Sequence, residues 1–327
     1  MLMGQIRTFV YSDGALKKQD FPISEVSKYL KDKSNTVWVD YLNPEKDDLD
    51  QIALALDLHD LAIEDALHSS QRPKVDYYSD HLFLACHALR VNNNSGTLDI
   101  SEVDTFIKDQ CVVTVRKNPD FDIDKLIERW NASSDSTPID ASYLLYSILD
   151  TVIDGYLEFV LQFDDYYDGI SDKIFSDAKM DITKQKEWFT MRKSLVQFHR
   201  VIISMREAIN ILLTREHHVL CDEMLPYFHD TYDHLIRVAE STDVLRELVA
   251  TIVDTNLNLR DYRQNQIMKQ VTSWAAIIAV PTLVTGYYGM NIPFPGYGET
   301  SGVYISAALI IGASLTLYSI FRRKDWI

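Results

Sequence analysis

Cysteine is scarce in this chain: Cys86, Cys111 and Cys221 are the only three among 327 residues. They lie far apart in the sequence and form no Cys-x-x-Cys pair. Such spacing argues against a disulfide framework and against a zinc ribbon. We therefore expect a reducing environment, such as the cytosol, around the polar part of the chain.

Basic residues are also few, with 32 Lys and Arg against 48 Asp and Glu and a formal net charge of −16. A nucleic-acid partner is not expected, since such proteins carry a basic footprint. The acidic excess fits either a protein that handles cations or one that simply stays soluble. No Walker sequence and no nucleophile–base pair stand out, so we expect neither nucleotide binding nor enzymatic activity.

Charged residues are absent from two apolar stretches near the end of the chain, at 271–290 and 303–321. Each is close to the roughly 20 apolar residues that a helix needs to cross a bilayer. The sequence therefore predicts a transmembrane hairpin with an external loop at 291–302. The first residues show no signal-peptide pattern, so we expect the hairpin itself to direct insertion.

Positive residues flank this hairpin on one side of the membrane. Lys269 precedes the first span, and Arg322, Arg323 and Lys324 lie in a basic tail at 322–327. Because Lys and Arg stay on the cytoplasmic side, both termini are expected in the cytoplasm. The expected location is the plasma (inner) membrane, with the chain crossing it more than once.

Glycine and proline become scarce from about residue 139, where apolar residues recur every three or four positions. This pattern predicts one helix at about 139–177, a second at about 181–222 and a third that starts at Pro226. Short β-rich runs come earlier, at 36–40, 81–86 and 111–115, which indicates a mixed α/β domain. The expected organisation is an α/β domain at 1–138, a long antiparallel helical hairpin at 139–225 and a stalk helix at 226–270 that runs into the transmembrane hairpin.

One face of the first span and its lead-in carries mostly small or hydroxylated residues. Its members are Asn265, Met268, Thr272, Ala275, Ala279, Thr282 and Gly286. Small residues let helices approach closely, so a packing face is the simpler interpretation. The alternative is the wall of a narrow channel. One hairpin cannot enclose a pore, so that alternative requires a homo-oligomer.

A channel wall without charge has a chemical consequence for the ion that passes. Magnesium sheds its water reluctantly, so a neutral lining suits it better than a ring of carboxylates. A ring of Asn291 carbonyls could accept hydrogen bonds from the waters around the ion, with binding weak enough for release. A potential of 100 mV supplies about 2.3 kcal/mol per charge, or about 4.6 kcal/mol for a divalent ion. Inward flow would then need no ATP.

The sequence Gly289-Met290-Asn291, at the end of the first span, resembles the signature of the CorA family of magnesium and cobalt transporters. Other segments resemble the family in the same order along the chain; they are 63–65, 71–75, 143–147 and 226–230. The resemblance implies a funnel-shaped homopentamer with an α/β cytosolic domain and a stalk helix that lines the pore. It also implies that Asn291 contacts hydrated Mg²⁺ at the outer mouth.

The same resemblance implies roles for further residues of the stalk helix and the first span. Met268 and Val271 would form the hydrophobic constriction of the gate, and Asn265 and Thr282 would be polar pore-lining positions. Asp65 of one subunit would face Asp230 of the next and share a regulatory Mg²⁺. Glu64 and Asp150 match the carboxylates of a second site, and Asp254 matches an acid on the pore-facing stalk.

This arrangement would couple intracellular Mg²⁺ to the gate. Carboxylates forced together across an interface repel each other, and a bound cation reverses the sign of that interaction. A fall in internal Mg²⁺ would then loosen the subunits and open the pore. For each acid considered alone, a solvated helix face remains the simpler account.

The external loop departs from the family pattern, which commonly carries Met-Pro-Glu after the Asn. Here the loop runs from Ile292 to Glu299, and Glu299 is its only acid. Ion capture by Glu299 and the choice among Mg²⁺, Co²⁺, Ni²⁺ and Zn²⁺ therefore stay open. A Zn²⁺-selective relative and a membrane-anchored scaffold without transport are the alternatives. His217, His218 and Cys221 have helical ligand spacing for zinc but no fourth ligand nearby.

Overall fold

A computed structural model describes residues 5–12, 14–68, 71–92, 97–132, 140–175, 182–214 and 220–327. The chain divides into two units, Met1–Val249 and Ala250–Ile327. The boundary between them falls inside one continuous helix. The first unit holds the α/β domain, two long helices and the first part of that continuous helix, and the second holds the rest of it with the apolar hairpin.

The described residues of the first unit form a seven-stranded sheet with the order β2-β1-β3-β7-β6-β5-β4. The strands are β1 (Gln5–Ser12), β2 (Ala15–Gln19), β3 (Asn35–Leu42), β4 (Lys74–Tyr77), β5 (Leu82–Asn92), β6 (Thr97–Lys108) and β7 (Cys111–Arg116). Neighbouring strands are antiparallel except β3 and β7, which run parallel at the centre. The strands predicted at 36–40, 81–86 and 111–115 are therefore present, although β5 continues to Asn92.

The helices are α1 (Val26–Tyr29), α2 (Lys46–Leu56), α3 (Asp60–Leu67), α4 (Ile123–Ala132), α5 (Ala141–Phe175), α6 (Ile182–Thr214), α7 (Leu225–Tyr288) and α8 (Thr300–Arg323). The predicted fold class is confirmed: an α/β region precedes long helices, and two apolar helices close the chain. The prediction that the second long helix reaches about residue 222 is wrong. Cys221 is extended and Asp222–Met224 is a 3-10 turn. Pro226 has no N–H to continue a helix from upstream, and it lies in the first turn of α7, which begins at Leu225.

The central strands are covered on both faces, because every residue of β3 and β7 is buried. Side chains alternate along a strand, so odd and even residues of β3 enter different layers. Val37, Val39 and Tyr41 join the apolar core with α2 and α3. On the opposite face, Trp38 stacks against Trp130 of α4, with ring centroids 6.0 Å apart. The sheet is thus the middle layer between helices, as parallel central strands require.

A buried ion pair joins the two parallel strands beneath that second layer. Arg116 Nη2 lies 2.6 Å from Asp40 Oδ2, and Arg116 Nε donates to Asp40 Oδ1 at 2.9 Å. Thr114 Oγ1 donates to the same carboxylate at 2.7 Å, and Trp38 Nε1 donates to Thr114 at 3.1 Å. A bidentate guanidinium–carboxylate pair satisfies both charges in a region that water does not reach.

We expect Asp40→Asn to lower the free energy of unfolding by about 3–5 kcal/mol, because it leaves the buried Arg116 without its counter-charge. The measurement is unfolding of the detergent-solubilised full chain, followed by tryptophan fluorescence. Asp124→Asn is the matched control, since it removes an exposed pair with Arg7 whose contribution is about 0–1 kcal/mol. Equal losses in the two variants would contradict the assignment.

Candidate functional site

Two helices of the described chain are long and apolar enough to cross a membrane: the helix that ends at Tyr288, and α8. Almost none of either apolar segment is buried within the chain. Apolar surface of this size needs cover from lipid or from other chains. The two C-terminal apolar helices predicted from the sequence are present in the fold.

The face with small and hydroxylated side chains is uncovered along α7. All seven of its members are exposed: Asn265, Met268, Thr272, Ala275, Ala279, Thr282 and Gly286. Val271, expected at the constriction, is also 59% exposed. The better-covered residues of this segment, such as Ser273, Val280 and Val284, lie at other angles around the helix axis. One chain thus leaves the candidate pore face free for a partner.

Thr282 shows how this face stays polar without charge. Its hydroxyl donates to the carbonyl of Ile278 at 3.1 Å, one turn back along α7. This bond satisfies the hydroxyl hydrogen within its own helix. The oxygen lone pairs remain available to accept hydrogen bonds from outside. A hydroxyl used in this way suits water molecules around a cation better than it suits a bare ion.

The Gly289-Met290-Asn291 segment begins where α7 ends. Gly289 N donates to Thr285 O at 2.8 Å, and a Cβ at this position would lie 2.9 Å from that carbonyl oxygen. Glycine is therefore the residue that permits this exit from the helix. Asn291 follows two residues later and is exposed. The C-terminal end of a helix carries partial negative charge, which favours a cation nearby.

The loop after Asn291 is held by aromatic packing and by two glycines. Phe294 lies against Tyr288 and Tyr297, with ring centroids 4.9 Å and 5.3 Å apart. A Cβ at Gly302 would lie only 2.5 Å from the carbonyl oxygen of Gly296, so the backbone approach there requires glycine. This packing fixes the segment that follows Asn291.

Glu299, the candidate capture residue, is exposed just before α8. It accepts a hydrogen bond from Ser301 Oγ at 2.8 Å. The remaining carboxylate oxygen has access to solvent, and the position can present one negative charge per chain at the loop.

Asp65 lies on α3 and is already bound by cationic and amide groups. Lys74 Nζ lies 2.7 Å from Asp65 Oδ2 and 2.7 Å from Asp76 Oδ2, and Gln71 Nε2 donates to Asp65 Oδ1 at 3.1 Å. Burial lowers the pKa of Lys74, but the hydrogen bonds to the two carboxylates outweigh it and the net pKa is raised. A protonated lysine therefore occupies the position that a metal ion at Asp65 would take.

A second group of acids lies between α4, α5 and α7. Asp150, nearly buried, is paired with Arg129, whose other nitrogen lies 3.8 Å from Asp154. Desolvation and then the Asp150 charge raise the pKa of Asp154. Burial, followed by the charge of Asp150, raises the pKa of the neighbouring Tyr146, and the Asp230 charge adds to that rise. Like charges thus crowd this region of a single chain.

Asp230 is the most accessible member of that region, with 63% of its side chain exposed. Its described partner is His234, one turn along α7, at 3.8 Å. Within one chain, the described contacts of Asp65 do not include Asp230, and Glu64 is exposed elsewhere on α3. Asp254 is exposed on the part of α7 that belongs to the second unit.

No group of three or more His, Cys, Asp or Glu among the described residues is arranged to hold a metal within one chain. His217 and His218 lie outside those residues, and the Cys221 thiol contacts Glu223 at 3.3 Å. Sequence reasoning missed Lys74, Arg129 and Asp154. Asp154 could have been noticed one turn after Asp150, whereas no local signal pairs Arg129 with either acid.

Comparison with known proteins shows the same organisation across nearly the whole chain. The model of the CorA-like Mg²⁺ transporter protein family matches residues 33–323. The putative metal ion transporter YfjQ of Bacillus subtilis is 32% identical over 294 residues, covering 88% of this chain and 89% of that protein. The cobalt/magnesium transport protein CorA of Thermotoga maritima is 24% identical over 314 residues, covering 94% and 89%.

A zinc transport protein, ZntB of Pectobacterium carotovorum, is 21% identical over 266 residues, covering 79% of this chain and 78% of that protein. The fold matches the complete structure of the CorA magnesium transporter from Methanocaldococcus jannaschii with a TM-score of 0.82 and 22% identity, covering 98% of both chains. The family consists of ion transporters, not enzymes. The chain described here belongs to the CorA-like Mg²⁺ transporter family of membrane metal ion transporters.

Proposed function

We propose that this protein is a channel-like transporter that takes up Mg²⁺, with Co²⁺ and Ni²⁺ as further substrates. The observation that carries the proposal is the uncharged, uncovered face of α7 that leads to Asn291 in a member of this family. A charged lining would hold a divalent ion too tightly, whereas hydroxyl and amide groups bind the water around it. Conduction needs binding that is favourable and weak.

Five copies would surround the path, with α7 inside and α8 outside. A single hairpin has no enclosed route, and the exposed face of α7 supports contact with further copies. Asn291 amides would ring the outer mouth, with Thr282 deeper in the pore. Met268 and Val271 would form an apolar constriction that loses water when closed, and Asn265 would lie at its cytoplasmic side.

The membrane potential would drive the ion inward without ATP. With both termini and the acidic first unit in the cytoplasm, the Asn291 loop faces outside. Arg322 and Arg323 at the end of α8 support this orientation, because Lys and Arg stay on the cytoplasmic side. Glu299, at the outer end of the hairpin, would attract cations to the mouth.

Intracellular Mg²⁺ would close the pore by bridging acids of adjacent subunits. Asp230 is exposed enough to reach a second chain, and the described residues offer no complete metal site within one chain. Asp65 would supply the facing carboxylate, Glu64 and Asp150 a second site, and Asp254 a further acid along the pore. Mg²⁺ would have to displace Lys74 from Asp65, leaving that ammonium on Asp76.

Zinc is the second candidate substrate. The external loop carries one acid, Glu299. A single carboxylate does not by itself distinguish Mg²⁺ from Zn²⁺ at the outer mouth. The relative ZntB is described as a zinc transport protein. A Zn²⁺-selective chain would use the same pore with a different outer filter.

Flux into liposomes containing the purified full-length protein tests the proposal. We expect Mg²⁺ entry that rises with an inward-negative potential and falls at least about tenfold in Asn291→Ala, because the amide ring is lost. Asn256→Ala, on another side of α7, is the control and keeps the flux. A scaffold would show no flux in any variant, and faster Zn²⁺ than Mg²⁺ entry would favour the second candidate.

Asp230→Lys tests the regulatory contact. We expect Mg²⁺ to lose its protective effect against limited proteolysis in this variant, because the new ammonium repels the ion and cannot ligate it. Glu240→Lys makes the same change of charge elsewhere on α7 and should keep the protection. Unchanged protection in Asp230→Lys would count against that residue as a ligand.

Lys74→Gln tests the competition for Asp65. Removing the ammonium frees the carboxylate of Asp65 for the metal ion. Half-maximal protection against proteolysis should then occur at a Mg²⁺ concentration about fivefold lower, which corresponds to ~1 kcal/mol for a partly exposed ion pair. Lys18→Gln, which removes an exposed pair with Glu25, is the control. An unchanged or higher Mg²⁺ requirement would show that Lys74 does not compete with the metal.

A further inference from the structure

A cavity of about 860 Å³ lies within the first unit, between the sheet and α6. Its size falls within the roughly 300–1,000 Å³ of small-molecule sites. None of the residues assigned above to the pore or to the regulatory acids lines it. Five side chains carry the argument about its chemistry: Arg72, His87, Glu102, Lys117 and Arg200.

The strand register explains why these groups converge. His87 of β5 and Glu102 of β6 are directly opposite each other in the antiparallel ladder, so both side chains project from the same face of the sheet. Lys117 follows the last residue of β7, which pairs with β6. Arg72 comes from the segment before β4, and Arg200 from α6, which packs on β4, β5 and β6.

Positive charge predominates in the described lining. Arg72 and Arg200 are exposed, and neither forms an ion pair within the part of the chain that the structure describes. Lys117 Nζ donates to the carbonyl of Ala66, not to a carboxylate. Glu102 is the one acid among the described lining residues. Burial raises the pKa of nearby Asp104 and lowers that of Lys117, and Asp104 itself is not among the lining residues.

His87 adds a specific hydrogen-bonding requirement. The side chain is only 9% exposed, and its Nδ1 has no hydrogen-bond partner among the described residues. Burial lowers the pKa of the ring, although a hydrogen bond to the Gln71 backbone opposes this effect. A backbone carbonyl can only accept, so the ring is the donor in that hydrogen bond. Nδ1, which has no partner among the described residues, is the nitrogen left for a ligand. A ligand must offer it a hydroxyl or similar donor.

We propose that this cavity binds a small phosphorylated metabolite that carries hydroxyl groups. The phosphate lies between the guanidinium groups of Arg72 and Arg200, and each guanidinium can donate two parallel hydrogen bonds to its oxygens. A hydroxyl donates to His87 Nδ1, and Glu102 accepts from a second one. The combination of an anionic end and a hydroxylated end distinguishes this ligand from inorganic phosphate.

Lys117 connects the cavity to α3. Its ammonium holds the carbonyl of Ala66, the residue after Asp65. A phosphate that attracts Lys117 weakens this hold on the helix that carries Asp65. This regulatory consequence rests on the proposed function, whereas the binding site itself does not depend on transport.

Calorimetric titration of the detergent-solubilised full-length protein in magnesium-free buffer tests the site. Glucose 6-phosphate is the probe, with glucose and inorganic phosphate as separate arms. We expect saturable binding of glucose 6-phosphate, no binding of glucose, and binding of inorganic phosphate that is weaker by about tenfold or more, since each lost charge-assisted or buried hydrogen bond costs over ~1 kcal/mol. Phosphate binding as tight as that of the sugar phosphate would overturn the hydroxyl half of the proposal.

Arginine variants locate the binding. Arg72→Gln and Arg200→Gln should each weaken glucose 6-phosphate binding by about tenfold or more, through loss of a charge-assisted contact. Arg206→Gln, an exposed position on α6 outside the lining, is the control and should bind as the parent does. All three sites are on the surface, so an unchanged thermal midpoint verifies folding. Absence of binding at millimolar probe, or equal affinity in the three variants, would overturn the proposal.

Discussion

The constraint on which the rest depends is that one chain supplies only one side of any path across the membrane. The hairpin of α7 and α8 is apolar and almost wholly uncovered in the described part of the chain, and all seven residues of its small, hydroxylated face are exposed there. In lipid, polar backbone and side-chain groups must find partners inside protein or in a water-filled lumen. In the proposed assembly, further copies of the same chain would meet that demand, and a closed ring around an axis would repeat the same contact at each interface.

Charge is distributed according to where water can solvate it. Thr282 on the candidate pore face and Asn291 after it are polar but uncharged. A dipole costs less free energy to desolvate than a charge does, and it binds a hydrated ion weakly. Apart from Glu299, the acids named above lie in the first unit and on α7 before its apolar segment, where a cation can relieve their repulsion. Lys74 and Arg129 provide that relief within one chain, at Asp65 and Asp150. A regulatory metal ion would take over part of this role between chains.

Much of this organisation could be predicted from the sequence, because it depends on local periodicity and composition. The β-rich runs at 36–40, 81–86 and 111–115 and the long uncharged segments identify their elements without knowledge of the fold. The pairing of Arg129 with Asp150 could not be predicted, since it depends on how α4 packs on α5. The same holds for the cavity, whose side chains come from separate strands and from α6. The 3-10 turn at Asp222–Met224 was also missed, because nothing in the local sequence before Pro226 distinguishes it from a continued helix.

The most direct test of the central claim is the number of chains in the assembled protein. Native mass spectrometry of the full-length protein, released from lipid nanodiscs, counts the subunits without assuming any transport activity. Our account predicts one dominant species with the mass of five chains, stable when Mg²⁺ is present. A species with one or two chains as the only form would contradict it, because so few hairpins cannot enclose a water-filled path.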